Sequence, residues 1–178
     1  MKTVATTVHF GPDEAFRLLQ RLKAPDRLVT HGRLVLEAAD VLLHGLRDLS
    51  FDIDGAWVRA GAVLHDVGKT LHPNELSGGG CAHEQAGERL LLEHGVPSHI
   101  ARMCVSHGAW DSDQLASEEL VVAMADKLWK GRREPELEKR FTDRVVVSLQ
   151  GEPWALYVRL DSLFETVADD GGDRLLRS

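Results

Sequence analysis

The chain has 178 residues, 43% of them apolar, which is enough for one domain with a real core and too little for two. No run approaches the roughly 18–20 apolar residues that span a bilayer. A net charge of −7 argues against a general affinity for duplex nucleic acid, which rests on basic surface.

The opening stretch, MKTVATTVHFGPDE, has neither a long apolar core nor a small-residue cleavage site, so a cytoplasmic protein is expected. From there the hydrophobic spacing is helical almost throughout. A first helix starts near Pro12, Asp13 and Glu14, residue types that suit a first turn, and runs through AFRLLQRL. RLVTHGRLVLEAADVLLHGL is apolar at every third or fourth position from Leu28 to Leu46. Asp54 is placed to cap GAWVRAGAVLHDVG. LHPNELSGGGC, with Pro73 and three consecutive glycines, reads as loop. CAHEQAGERLLLEHG is a helix closed by Gly95, and VPSHIARMCVSHG is one helix from Pro97-Ser98 to near Gly108. SEELVVAMADKLWKG takes Ser117 as its cap and ends at Gly131. ELEKRFTDRVVVSL and EPWALYVRLDSLFETVA complete the helices, and the polar, glycine-containing tail from Asp169 reads as mobile. There is no strand alternation and no internal repeat. One all-α domain is expected.

The two cysteines lack CxxC spacing, so neither a disulfide framework nor a thiolate metal site is implied. Cys104, in IARMCV, reads as a buried structural thiol. The nine histidines are more informative. On helical wheels His31 shares a face with Leu34, Val35 and Ala38, and His65 with Val58, Gly61 and Ala62. His83 aligns with Ala86, Gly87, Leu90 and Leu91, and His107 with Ile100, Met103 and Cys104. Asp66 follows His65 directly, and Asp126 shares a face with Val122 and Trp129. A single histidine on an apolar face is ordinarily a satisfied core residue. Four histidines and two aspartates on five helices would each need a separate excuse. One divalent-metal centre accounts for all six, because imidazole and carboxylate gain from a cation what they lose in leaving water. His9, His44, His94 and His99 lie in the N-terminal extension or at helix ends and fail this test. His72, in the loop after the His65-Asp66 pair, is placed to reach a substrate.

In this order the six residues resemble the H…HD…H…H…D signature of the HD-domain superfamily of metal-dependent phosphohydrolases, over residues 28–130. The resemblance implies an all-α bundle with the HD pair at its centre. Residues 131–168 would be covering helices and 169–178 a mobile tail. Members with the two extra histidines hold two metals, which implies His31, His65 and Asp126 on one ion, His83 and His107 on the other, and Asp66 bridging. Fe or Mn suit this set best, with Zn, Co, Ni or Mg as alternatives. The expected activity is hydrolysis of a phosphate ester or anhydride on a small molecule, a nucleotide above all, by metal-activated water. Asp66 and Lys69 would be catalytic, with Lys69, Lys130 and His72 contacting substrate. Arg132 and Arg133 read as a solvated helix end.

Two other readings stay open. Relatives with the same ligands include mixed-valent di-iron oxygenases acting on a small polyol or a phosphonate. A binding module that keeps the metal without turnover is the third. Partners would be a small phosphorylated substrate, with no duplex nucleic acid and no membrane, and the chain would be a monomer or a homodimer.

Overall fold

A computed structural model describes residues 10–178, and among them every regular element is a helix or a helical turn. The expectation about the extreme N-terminus, His9 included, lies outside the described residues. Helix α1 (Pro12–Arg21) starts where Pro12 needs no amide partner and Glu14 Oε2 accepts from the Gly11 amide at 3.1 Å. Helix α2 (Asp26–Asp48) is the long element of the bundle. Helix α3 (Gly55–Leu64) is capped as expected by Asp54, whose Oδ1 accepts from the amides of Ala56 and Trp57, each at 3.0 Å. Helix α4 (Ala82–Glu93) ends at Gly95, which takes the left-handed φ of 74°.

The helix expected over VPSHIARMCVSHG is two short turns, α5 (Ser98–Ala101) and α6 (Met103–Ser106). Arg102 between them keeps right-handed helical angles, so the chain path still carries His107 inward. Helix α7 (Ser117–Leu128) corrects a second detail, because Ser117 is its first helical residue and not its cap. The first turn is closed by Glu119, whose Oε2 accepts from the Ala116 amide at 2.8 Å. Helices α8 (Pro135–Leu149) and α9 (Pro153–Asp169) come next, and the β-branched VVVSL run lies inside α8.

The segment expected to be a mobile tail carries a helix and packs on the fold. Residues Gly171–Leu175 form helix α10, with Arg174 only 4% exposed and Arg177 paired with Glu37 of α2 at 2.7 Å. The polar composition misled because its two arginines find carbonyl and carboxylate partners within the fold.

The core has two parts, and α3 belongs to both. Its Val58 and Ala62 pack with α2, α7, α8 and α9, including Leu42, Val122, Phe141 and Phe164. Its Ala60, Val63 and Leu64 pack with α1, α4 and α5, including Leu18, Leu91 and Ile100. From Ala60 to Leu64 the helix is apolar on all sides, and such a turn has to be buried. Its last turn therefore delivers the next two residues, His65 and Asp66, to the middle of the molecule. No helix among the described residues is long and apolar enough to cross a membrane.

Candidate metal centre

His65 caps α3, its amide still bonded to the Gly61 carbonyl at 2.8 Å. Asp66 then leaves the helix with φ −102° and ψ 8°, and Val67–Thr70 turn as a 3₁₀ helix. The turn is tight because Gly68 lies against the start of α4. A Cβ there would sit 1.9 Å from the His83 carbonyl oxygen and 2.7 Å from the Gly87 amide nitrogen. Two bare backbones therefore meet, and their contact sets His83 opposite Asp66. His31 comes from α2, His107 from just past α6, and Asp126 from the last turn of α7.

The structure brings all six predicted ligands together. His65, Asp66, His83, His107 and Asp126 are buried, and His31 is half-buried. Asp66 divides them by its two oxygens. Oδ2 lies 3.2 Å from His31 Nε2 and 3.7 Å from His65 Nε2. Oδ1 lies 3.1 Å from His83 Nε2 and 3.7 Å from His107 Nε2. Asp126 Oδ1 joins the first group, 3.5 Å from the Nε2 atoms of both His31 and His65. Two sets could each hold an ion, with ligand atoms within 4.8 Å of one another: His31, His65 and Asp66, and Asp66, His83 and His107.

The ring orientations are fixed from behind. His65 Nδ1 donates to the Ala62 carbonyl at 3.0 Å, His107 Nδ1 to the Met103 carbonyl at 3.1 Å, and His83 Nδ1 to Glu75 Oε2 at 2.5 Å. Each bond assigns the proton to Nδ1 and leaves the Nε2 lone pair facing the cluster, as metal ligation requires. The Nε2 atoms of His31 and His65 face each other at 3.2 Å. Asp66 Oδ1 and His83 Nε2 are both buried and make no hydrogen bond, although only 3.1 Å apart. Acceptor atoms converging in this way are costly without a cation between them. The donor set fits a metal.

The electrostatics agree. Burial drives His31 below its ordinary value and pushes His107 down to about 4, so both are neutral near pH 7. Burial also opposes charge on His65, but the Asp66 and Asp126 carboxylates outweigh it and raise that group. Contact with Asp66 raises His83, against burial and with help from Glu75. Both aspartates are held far below the carboxylate range by the surrounding imidazoles, although burial alone would raise them.

The cluster opens onto a cleft of about 620 Å³ whose walls include His31, Asp66, Lys69, Arg27, Trp129 and Leu175. Lys69 donates to Asp66 Oδ2, and Lys127 donates to Asp126 Oδ2 at 2.9 Å. Lys130 is exposed, with its Nζ 5.9 Å from the Trp129 ring centre. His72 is half-buried between the Val67–Thr70 turn and a second 3₁₀ turn, Pro73–Leu76, which lies inside the stretch expected to be loop, and like Lys130 it is not among the residues lining the cleft. Another hollow of about 570 Å³ between α8 and α9, lined by Trp154, Tyr157 and Arg133, shares no residue with this one.

Several functional residues escaped the sequence. Glu75 gives no periodic signal, since it lies in a single short 3₁₀ turn eight residues before its partner. Trp129 reads as core, yet its ring stands edge-on to His31 at 5.2 Å and walls the cleft. Gly68 looks like an ordinary turn glycine until His83 is placed beside it.

The family model described as HD domain matches residues 28–130, a span that contains all six ligands. The chain belongs to the HD-domain family. HD domains bind divalent metals, and family members are in general metal-dependent phosphohydrolases. Among curated proteins this HD domain is 31% identical over 123 residues to ribonuclease Y of Pseudothermotoga lettingae, covering 67% of this chain and 22% of that protein. It is 28% identical over 145 residues to a tRNA (cytidine(56)-2'-O)-methyltransferase of Thermoplasma volcanium, covering 72% of this chain and 40% of that protein. It is 26% identical over 151 residues to an uncharacterized protein of Methanocaldococcus jannaschii, covering 75% of this chain and 85% of the relative. The chain thus spans well under half the length of the first two. No solved structure matches.

Proposed function

We propose that this HD domain hydrolyses a phosphate ester or anhydride of a small molecule, a nucleotide above all, at two divalent ions. The observation that carries the reading is the division of Asp66, one oxygen toward His31 and His65 and the other toward His83 and His107. His31, His65 and Asp126 would hold one ion, His83 and His107 the other, and Asp66 both. Iron or manganese suits this mixed imidazole and carboxylate set best, with zinc, cobalt, nickel or magnesium as alternatives. When bound, the ions would lower the pKa of a water and offset charge on the phosphoryl oxygens.

The chain's own residues supply the rest. Glu75 holds the His83 ring, and backbone carbonyls hold His65 and His107, so the ligand atoms are oriented before substrate arrives. Lys69 stands on the cleft wall, bonded to Asp66, with its ammonium within reach of a phosphate entering beside that carboxylate. Lys130, over the Trp129 ring, and His72 stand off the cleft lining, so each would be a remote contact reached by movement of its side chain. The relative named ribonuclease Y acts, by that name, on RNA, a phosphodiester, which supports phosphoryl chemistry in general. The net charge of −7 supports a small phosphorylated partner over a duplex.

The test is phosphate release under strict anaerobiosis from a panel of nucleotides and phosphomonoesters, using Mn²⁺- or Fe²⁺-loaded protein with Asp66→Ala as the blank. Release that the blank lacks establishes the hydrolase. No release across the panel from protein holding two irons would favour oxygen chemistry at the same ligands. Lys69→Ala should raise KM or lower kcat with metal content unchanged.

A further inference from the structure

Helix α10 lies beyond the span that the family model matches, yet Leu175 and Ser178 line the same cleft as His31, Asp66 and Lys69. We propose that α10 is the specificity element of this site, a fixed wall that admits a mononucleotide-sized phosphate compound and excludes a polynucleotide strand. The inference deepens the hydrolase reading and rests on it.

Three attachments hold the wall. Gly171 lies on the backbone at Gly131, so close that a Cβ would sit 2.2 Å from the Gly131 nitrogen and 2.7 Å from the Lys130 carbonyl carbon. That contact ties α10 to the segment just past Trp129. Arg174 donates to the Val167 carbonyl at 2.7 Å, and the Arg177 guanidinium donates to both Glu37 oxygens at 3.0 and 2.7 Å. Glu37 is on α2, the helix that also brings His31.

The wall's chemistry indicates what it meets. Leu175 is 47% exposed, so this leucine presents apolar surface to the cleft instead of burying it. Leu28, Leu76 and Trp129 add apolar lining, while Lys69 and Arg27 are the cations. Lys69 beside Asp66, with apolar surface interleaved among polar groups such as Thr30 and Ser178, matches a phosphate joined to a nucleoside, whose sugar and base offer apolar faces and polar edges. Binding a strand needs a through-going groove with cations along the backbone path. Here Arg27 Nη1 donates to Ser77 Oγ at 3.3 Å, linking the start of α2 to the loop, and Asp26 beside it sets a negative charge against a second phosphate. A volume of about 620 Å³ is that of a small-molecule site.

The test is calorimetric binding to full-length, Mn²⁺-loaded protein of two non-hydrolysable probes. These are the methylenephosphonate analogues of adenosine 5′-monophosphate and of a 5′-phosphorylated triadenylate. The unsubstituted protein should favour the mononucleotide by about ten-fold or more. Gly171→Ala, which displaces α10, and Leu175→Ala, which only trims it, should each bring the two probes to within about three-fold. Leu175→Ala removes half-exposed atoms and keeps the test valid if Gly171→Ala fails to fold. Equal affinity for both probes in the unsubstituted protein, failure of both probes to bind, or an unaltered preference in Leu175→Ala would overturn the proposal. The expected preference without phosphate release from the parent nucleotide would refute the hydrolase and leave the wall intact. Release from mononucleotide and trinucleotide with equal kcat/KM would do the reverse.

Discussion

Asp66 Oδ1 and His83 Nε2 stand 3.1 Å apart in the interior, and neither makes a hydrogen bond. A carboxylate and an imidazole so close would normally share a proton in a directed bond. Here the Nε2 atoms of His83 and His107 come within 3.1 and 3.7 Å of the same Asp66 oxygen, an arrangement that suits ligands better than an ion pair.

Asp66→Ala should therefore lower bound metal from two ions per chain to one or none. Metal analysis after equilibration with Mn²⁺ reads the stoichiometry. Replacing His83 or His107 should empty mainly the second position. An unchanged count in all three variants would reduce these residues to core packing.

Glu75 acts through His83. Glu75→Ala should weaken binding at the second position by about 10–100-fold, the usual cost of losing a carboxylate behind a ligating histidine. Glu75→Gln, which keeps an acceptor for Nδ1–H, should recover part of the loss. Metal titration monitored by calorimetry separates the two ions, and equal losses in both variants would mean that the charge and not the orientation matters.

Gly68→Ala tests the approach of the turn to α4. The added methyl would collide with backbone atoms, which cannot step aside as a side chain can. The expected loss is about 1–3 kcal/mol of stability in urea unfolding, together with weaker metal binding. Full stability in the variant would show that α4 can slide without cost.

A fourth prediction concerns pH and lies away from the centre. Burial would raise the Glu119 carboxyl, but Arg102, the Ala116 amide and Ser106 outweigh it and hold the group below its ordinary 4.5. The unfolded chain binds that proton more readily, so the contribution is fully present above pH 4.5 and is lost as pH falls through the folded value. Urea unfolding at about pH 7 and about pH 3.5 should show a smaller acid loss in Glu119→Gln than in the unsubstituted protein. Equal losses would remove Glu119 from the acid response.

Much of this was legible in the sequence, and the reasons are local. Five of the six ligands sit at helical spacing from apolar residues, so their inward direction follows from the wheel, and Asp66 is carried in as the neighbour of His65. The cap at Asp54 and the stop at Gly95 are likewise short-range features. The features that remained hidden depend on distant partners. Glu75 acquires meaning only beside His83, and Arg177 only beside Glu37, 140 residues away. The tail looked mobile because composition cannot show that two arginines and one glycine have places waiting for them.

The bare contact between Gly68 and Gly87 has a further consequence. With only hydrogen atoms where side chains would stand, the turn bearing Asp66 and the helix bearing His83 behave as a single rigid joint. On the proposed two-ion reading, one edge of the second seat would be gauged by main chain, and accommodation to an ion of another radius would fall to His107. On the first it would fall to His31 and Asp126, which come from α2 and α7 and not from that joint.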